Sequence, residues 1–469
     1  MVKITFIGAG SIVFAKSILT DILTFPETRK DLVLCLEDID EHRLDLMFRY
    51  MNKYIADNEP LHGIKVEKTT DQRKSVTDAK FIINAVQIGG LDAYKYDLEI
   101  PEKYGIHQLV GDSLGPGGVF RFLRTTSFFE SLLKDISEVG EFGGQQGVFS
   151  NGGNSPLLLN YTNPMAMNTW YCNALYPDST VGLCHGVQGT CQLLKKYIGA
   201  LNDKEFHFMA AGINHMAWFL KLWYRDPFED PELKGPWKDA YPIIDEHLKD
   251  EPEMGEDEKV RLDMYRATGY FMTESSGHLA EYLPFYLKRK DLIQKYASKN
   301  QIGFESLIQA YYYKKNLKKL ENNDEQFEKT FEREKIPMKQ TPSQEYGASI
   351  IRAIHTNTPF VFNGNVINKQ GSLIVNLPKD CCVEVPTTAD GTGLHPQGGI
   401  ELSEICAALC LTNINVQRLA VKGALQKNKE MIFQAVMMDP NTQSMLCPEE
   451  IRNMVDEMFI AEKKWLPKW

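Results

Sequence analysis

A cysteine and a histidine sit side by side where an apolar run ends, in VGLCHGVQGT at residues 181–190, and a second histidine, His215, ends another such run in AGINHMAW. Thiolate and neutral imidazole both bind divalent metals, and open α/β sheets place their chemistry at the carboxyl ends of strands. A Cys-His pair alone is more often a buried strand end, since free cysteine is among the most buried residue types. The second cluster is what makes Cys184 and His215 candidate ligands of one ion.

Further upstream, KITFIGAGS at residues 3–11 reads as a strand, a glycine turn through Gly8 and Gly10, and the start of a helix at Ser11. Such a turn lets the backbone approach a pyrophosphate, whose charge then sits at the helix amino end. The third glycine of the dinucleotide fingerprint is absent, because Val13 stands in its place. A second strand in DLVLCLEDID closes on Glu37, Asp38 and Asp40, the kind of acidic end that hydrogen-bonds an adenosine ribose and favours NAD over NADP. Asp38 is the candidate.

These residues need elements to position them. The 469-residue chain has a hydrophobic share of 43% and a formal charge of −10, which suits a large globular core and disfavours nucleic acid or anionic membrane as partner. No apolar run is long enough to span a membrane and the opening residues lack a signal-peptide pattern, so a cytoplasmic protein with reduced cysteines is expected. Strand and helix patterns alternate up to about residue 200, which predicts a Rossmann-like, doubly wound parallel sheet over 1–200. An α+β domain for substrate, metal and oligomerisation is predicted over 201–469. Residues 141–155 read as a polar surface loop, and 300–342 as a charged, solvated helix pair.

Several polar positions fall between these elements. Asp112 precedes Gly115-Pro116-Gly117-Gly118 and a helix bearing Arg121 and Arg124, and a buried strand ends at Asn160 ahead of Asn163-Pro164. The segment holding Tyr265, Tyr270, Glu274, His278 and Tyr282 reads first as an aromatic core stripe.

Taken as a set, KITFIGAGS, LEDID, DSLGPGG, NYTNPMAMNTW, GLCHGVQGT, AGINHMAW, YFMTESSGHLAEY and VNLPKDCCVEVP resemble glycoside hydrolase family 4, and most closely its melibiase-type α-galactosidases. The resemblance implies a glycosidase that carries NAD and a divalent metal, commonly Mn2+, an exception to the two-carboxylate rule. It implies oxidation of the sugar at C3, loss of the C2 proton, departure of the aglycone, addition of water and re-reduction, with no net redox change. On the same ground Cys184 and His215 are the metal ligands, Asn163 and His185 contact substrate, and Tyr270 is the base, with Tyr265 as runner-up. The acid is Asp112 or His185. A homodimer or homotetramer is expected.

One departure bears on the substrate. Melibiases read CHSV where this chain has Cys184-His185-Gly186-Val187, and CHG occurs among relatives acting on uronides. Gly186 is expected to leave room for something larger, and an α-galacturonide is the second substrate reading. Its carboxylate would need an arginine, for which Arg121, Arg124 and Arg289 are the candidates. Rivals from other classes are an NAD-dependent 2-hydroxy acid dehydrogenase, which would release net NADH, and a non-enzymatic NAD sensor.

Overall fold

The computed structural model of the chain describes residues 2–139, 156–200, 204–226, 229, 230, 232–250, 258–296, 324–329, 331, 332 and 335–469. The polar stretch 141–155 and most of the charged run 300–342 lie outside the described residues.

Six short strands open the fold: β1 (Val2–Ile7), β2 (Leu32–Glu37), β3 (Lys65–Thr69), β4 (Phe81–Asn84), β5 (Leu157–Asn160) and β6 (Thr180–Gly182). They run parallel in the order β3-β2-β1-β4-β5-β6, the doubly wound order whose switch point lies between β1 and β4. Helices Ile12–Ile22, Glu41–Ala56, Gly115–Val139 and Met165–Leu175 alternate with these strands. A sheet covered on both faces must be apolar along whole strands, and β2, LVLCLE, is buried at every position. The pleat sorts side chains between two cores: Phe81 and Ile83 enter one, and Ile82 between them enters the other. Strand β3, KVEKT, was hidden in the sequence because it is a charged and largely exposed edge.

The remaining strands extend the same sheet. They are β7 (Phe206–Ile213), β8 (Met216–Tyr224), β9 (Lys238–Asp239), β10 (Phe271–Met272), β11 (Phe360–Ile367), β12 (Cys382–Asp390) and β13 (Gly393–Pro396). Beyond β6 the order is β11, β12, β7, β8, β10, all antiparallel, with β13 on β12 and β9 on β8. Two junctions are slender: β11 meets β6 only at Asn365 and Gly182, and β12 meets β7 only at Glu384 and Gly212. The apolar run AGINHMAWFLKLWY, residues 211–224, is not one strand: it holds the end of β7, a turn at Asn214-His215 across which Ile213 pairs with Met216, and all of β8. Apolar residues on both sides conceal that turn, which His215 makes at a φ of 62°.

Near the carboxyl end, residues 404–426 form the long helix Glu404–Gln426. All nine cysteines are unpaired, and no described helix is long and apolar enough to cross a membrane. Arg124 is fully buried, where it forms a bidentate pair with Asp97 at 2.7 and 2.8 Å and also reaches Glu462. It is therefore a structural cation and no partner for a uronide, which corrects the sequence expectation. Arg289 is exposed and paired with Asp291, so it is withdrawn as well.

Candidate active site

Cys184 stands two residues beyond β6, just ahead of the helix Gly186–Ile198, and His215 occupies the turn between β7 and β8. In a flat sheet three strand spacings would hold β6 and β7 about 14 Å apart. The slender junctions let the strands fan, and Cys184 Sγ lies 3.5 Å from His215 Nε2. A third group joins them: Glu274, two residues past β10, places Oε2 3.5 Å from the same nitrogen. The three candidate donor atoms all lie within 4.8 Å of one another. In the sequence Glu274 reads as part of the aromatic segment, because only the pairing of Phe271 and Met272 with Phe219 and Trp218 carries it to the hairpin turn.

The same geometry overturns the expectation for Gly186. A Cβ built there would fall 2.6 Å from Glu274 Oε2, so the space is taken by the carboxylate and not left for substrate.

The electrostatics suit a cation. Burial pushes the Cys184 thiol well above its ordinary range, aided by the charges of Glu274 and Glu384, and burial lowers His215 to about 4. Burial alone would raise Glu274, but His215 and His278 beside it bring it down to about 2. A neutral thiol, a neutral imidazole and a carboxylate make a mixed donor set that a divalent metal completes by displacing the thiol proton. Because that proton is still bound at neutral pH while His215 has already lost its own, metal affinity should rise by about tenfold per pH unit between about pH 6 and 8. Mn2+ titrations at several pH values check this; an affinity that stays flat or falls would remove Cys184 from the ligand set.

Around the three lie the sugar-facing candidates. Asp112 accepts hydrogen bonds from Asn163 Nδ2 at 2.9 Å and from Ser113 Oγ at 2.7 Å. Burial opposes its ionisation, yet Arg121, His278 and His215 hold its carboxyl below the usual range. Arg121 also reaches the Asn163 carbonyl oxygen from Nε at 3.3 Å, so of the three arginines proposed for a uronide it alone stands at this site. Glu281 accepts from the backbone N–H groups of Val110 and Gly111, which pins the loop carrying Asp112 to the helix Ser276–Tyr282. His185 is 77% exposed at its side chain, with Nδ1 3.6 Å from Glu345.

The tyrosines divide. Tyr270 lies in an open groove with Tyr241, Asp245 and Tyr265, its ring 6.5 Å from that of Tyr241, and Tyr265 donates to Asp245 at 2.7 Å. Among the described contacts neither meets Cys184, His215 or Glu274. The hydroxyl that does arrive belongs to Tyr282, 2.9 Å from His215 Nδ1 and within hydrogen-bonding reach of Ser113. The four-residue spacing of His278 and Tyr282 on the Ser276–Tyr282 helix is the available signal, and it reads as core.

The glycine turn of residues 8–10 is tightly enclosed. Gly8 has a φ of 85°, and a Cβ there would lie 2.5 Å from the Ala85 carbonyl oxygen. Asp38 Oδ2 accepts from Gly10 N–H at 2.7 Å, whereas Asp40 caps the next helix and Glu37 is buried. The helix Ile12–Ile22 has no side-chain cap from Ser11, which leaves its first N–H groups to a ligand. Val13 and Ile39, next in the chain to these groups, are 65% and 89% exposed.

Comparison with known proteins finds the model of the family 4 glycosyl hydrolases over residues 3–200 and that of the family's C-terminal domain over 210–442. An α-galactosidase of Rhizobium meliloti is 36% identical over 468 residues, covering 100% of this chain and 89% of the relative. One from Bacillus subtilis is 35% identical with both chains covered in full, and an α-galacturonidase of Lachnoclostridium phytofermentans is 27% identical over 100% and 97%. The 6-phospho-β-glucosidase of Thermotoga maritima, solved with manganese, NAD+ and glucose-6-phosphate, superposes with a TM-score of 0.76 at 18% identity, both chains covered in full.

Proposed function

The chain belongs to the family 4 glycosyl hydrolases, and from that premise we propose that it cleaves α-galactosides using NAD and a divalent cation, manganese first. Family membership sets aside the dehydrogenase and sensor readings. The observation that carries the proposal is the convergence of Cys184, His215 and Glu274 beside the Asp112–Asn163 pair, on the same mixed sheet that bears the Gly8–Gly10 turn. The higher identity to the two α-galactosidases than to the galacturonidase supports the galactoside.

In this reading Gly8, Gly10, Ser11 and Asp38 hold the dinucleotide, and Cys184, His215 and Glu274 hold the metal. When bound, NAD supplies reversible hydride transfer and the cation supplies Lewis acidity toward sugar oxygens. Asn163, which both donates and accepts, and Asp112, held as an anion, fix the sugar hydroxyls. Burial and the carboxylates of Glu281, Asp112 and Glu274 hold the Tyr282 phenol above its ordinary range, so it would take the proton from C2, in place of Tyr270, only as the phenolate that the field of a cation on the adjoining ligand set would favour; its hydroxyl is the phenol that reaches that set. His185 passes a proton to the departing aglycone oxygen; its exposed imidazole lies on the open side where an aglycone leaves, while Asp112 is committed to the anionic form.

The test is release of p-nitrophenol from α-galactoside and α-galacturonide substrates with NAD+ and Mn2+ each omitted in turn. Hydrolysis of the galactoside should need both and accumulate no NADH. Stoichiometric NADH would overturn the mechanism, and preference for the uronide by orders of magnitude would transfer the substrate assignment to the second reading, with Arg121 as its carboxylate partner.

A further inference from the structure

Asp38 is the acid expected of an NAD site, but the chain also carries the arginine expected of an NADP site. Arg43 opens the helix after β2, and its Cβ lies 3.0 Å from where a Gly10 Cβ would stand, so its stem rests against the dinucleotide turn beside Asp38. A planar guanidinium at this corner is the group that receives a 2′-phosphate. Here it is already engaged: Nε and Nη2 donate to the two carboxylate oxygens of Asp324, each at 3.0 Å.

That pairing comes from far along the chain and is anchored there. Glu328 and Glu332 on the same segment pair with Arg49, Phe327 and Phe331 pack on the ring of Tyr50, and Lys16 lies over Phe327. Asp324 is thus held in place by a segment clamped across the helix Glu41–Ala56, independently of its own ion pair. Bidentate carboxylate satisfies the same donor fork that a phosphate would need.

We infer that Asp324 sets cofactor preference by occupying Arg43, so that a phosphorylated adenosine ribose finds the acid Asp38 and no free cation. The inference rests on the reading of Gly8–Gly10 and Asp38 as a dinucleotide site. Removing Asp324 returns Arg43 to the cleft, and the gain must pass through that arginine.

The experiment is a binding titration of the full chain with NAD+ and NADP+, followed by calorimetry, for the parent protein, Asp324→Ala, Asp324→Asn, Arg43→Ala and the double variant Arg43→Ala/Asp324→Ala. Asp324→Ala should tighten NADP+ by about tenfold with NAD+ changed less than about threefold, and the double variant should lose the gain, as coupled neighbours require. Asp324→Asn, which keeps the shape, should move in the same direction by less. Unchanged NADP+ affinity in both Asp324 variants, or a gain that survives in the double variant, overturns the inference. So does an equal gain from Glu328→Gln, which would mark a general charge effect. If the parent protein binds neither dinucleotide, the cofactor reading itself fails; if it binds NAD+ and Asp324→Ala gains nothing, only the role of Asp324 is lost.

Discussion

Phenylalanine at position 282 is expected to lower kcat/KM for p-nitrophenyl α-galactoside by about 10²–10⁴-fold, the usual range for removing a positioned proton-transfer group. The substitution deletes one oxygen from a fully enclosed ring, so packing is preserved, and the loss of a partner for buried His215 Nδ1 should cost about 1–3 kcal/mol of stability. The same hydroxyl also touches His215, and the two roles separate on metal concentration. A defect that persists at saturating Mn2+, with loss of solvent exchange at C2, identifies the base. Recovery at high Mn2+ would reduce Tyr282 to an orienting partner of His215. Tyr270→Phe serves as the comparison: a group in the outer groove should cost less than about tenfold, and a defect equal to that of Tyr282→Phe would restore the base to Tyr270.

The second large effect concerns the ligands. Cys184→Ser and His215→Ala should each abolish stoichiometric Mn2+ and reduce turnover to background, while NAD+ affinity stays within a few fold, because the glycine turn lies at the end of β1, three strands from β6 and six from β7 in the sheet order. Glu274→Gln should weaken Mn2+ by about 10–100-fold without abolishing it, as expected when one charged donor becomes neutral and the other two remain. Full metal content by elemental analysis in the first two variants would place the cation elsewhere.

The amino half was legible because its physics is local. An all-apolar β2 and a glycine turn at residues 8–10 announce a covered parallel sheet and a phosphate cradle without reference to distant residues. Cys184 and His215 were legible as strand ends, but their meeting was not: it depends on two slender junctions, which Asn365 and Glu384 make with Gly182 and Gly212 from far along the chain and which no local pattern encodes. Glu274 and Tyr282 were visible as residue types and invisible as neighbours, since a two-residue strand, β10, and one short helix deliver them. Gly186 misled for a related reason, because an absent side chain looks like space until the carboxylate that fills it is seen. Arg124 looked available beside a glycine-rich loop, and only the fold brings Glu462 to it.

The hairpin β11–β12 separates β6 from β7 yet contributes neither of the ligands that follow them. A cation shared by Cys184 and His215 therefore ties together two parts of the sheet that backbone pairing joins only through that spacer. Its binding energy then enters the folding equilibrium by mass action, adding about 2.7 kcal/mol when free metal stands at a hundred times its dissociation constant. The amount of folded enzyme becomes coupled to the supply of a trace element, so that scarcity of metal would shorten the life of the protein as well as idle its chemistry.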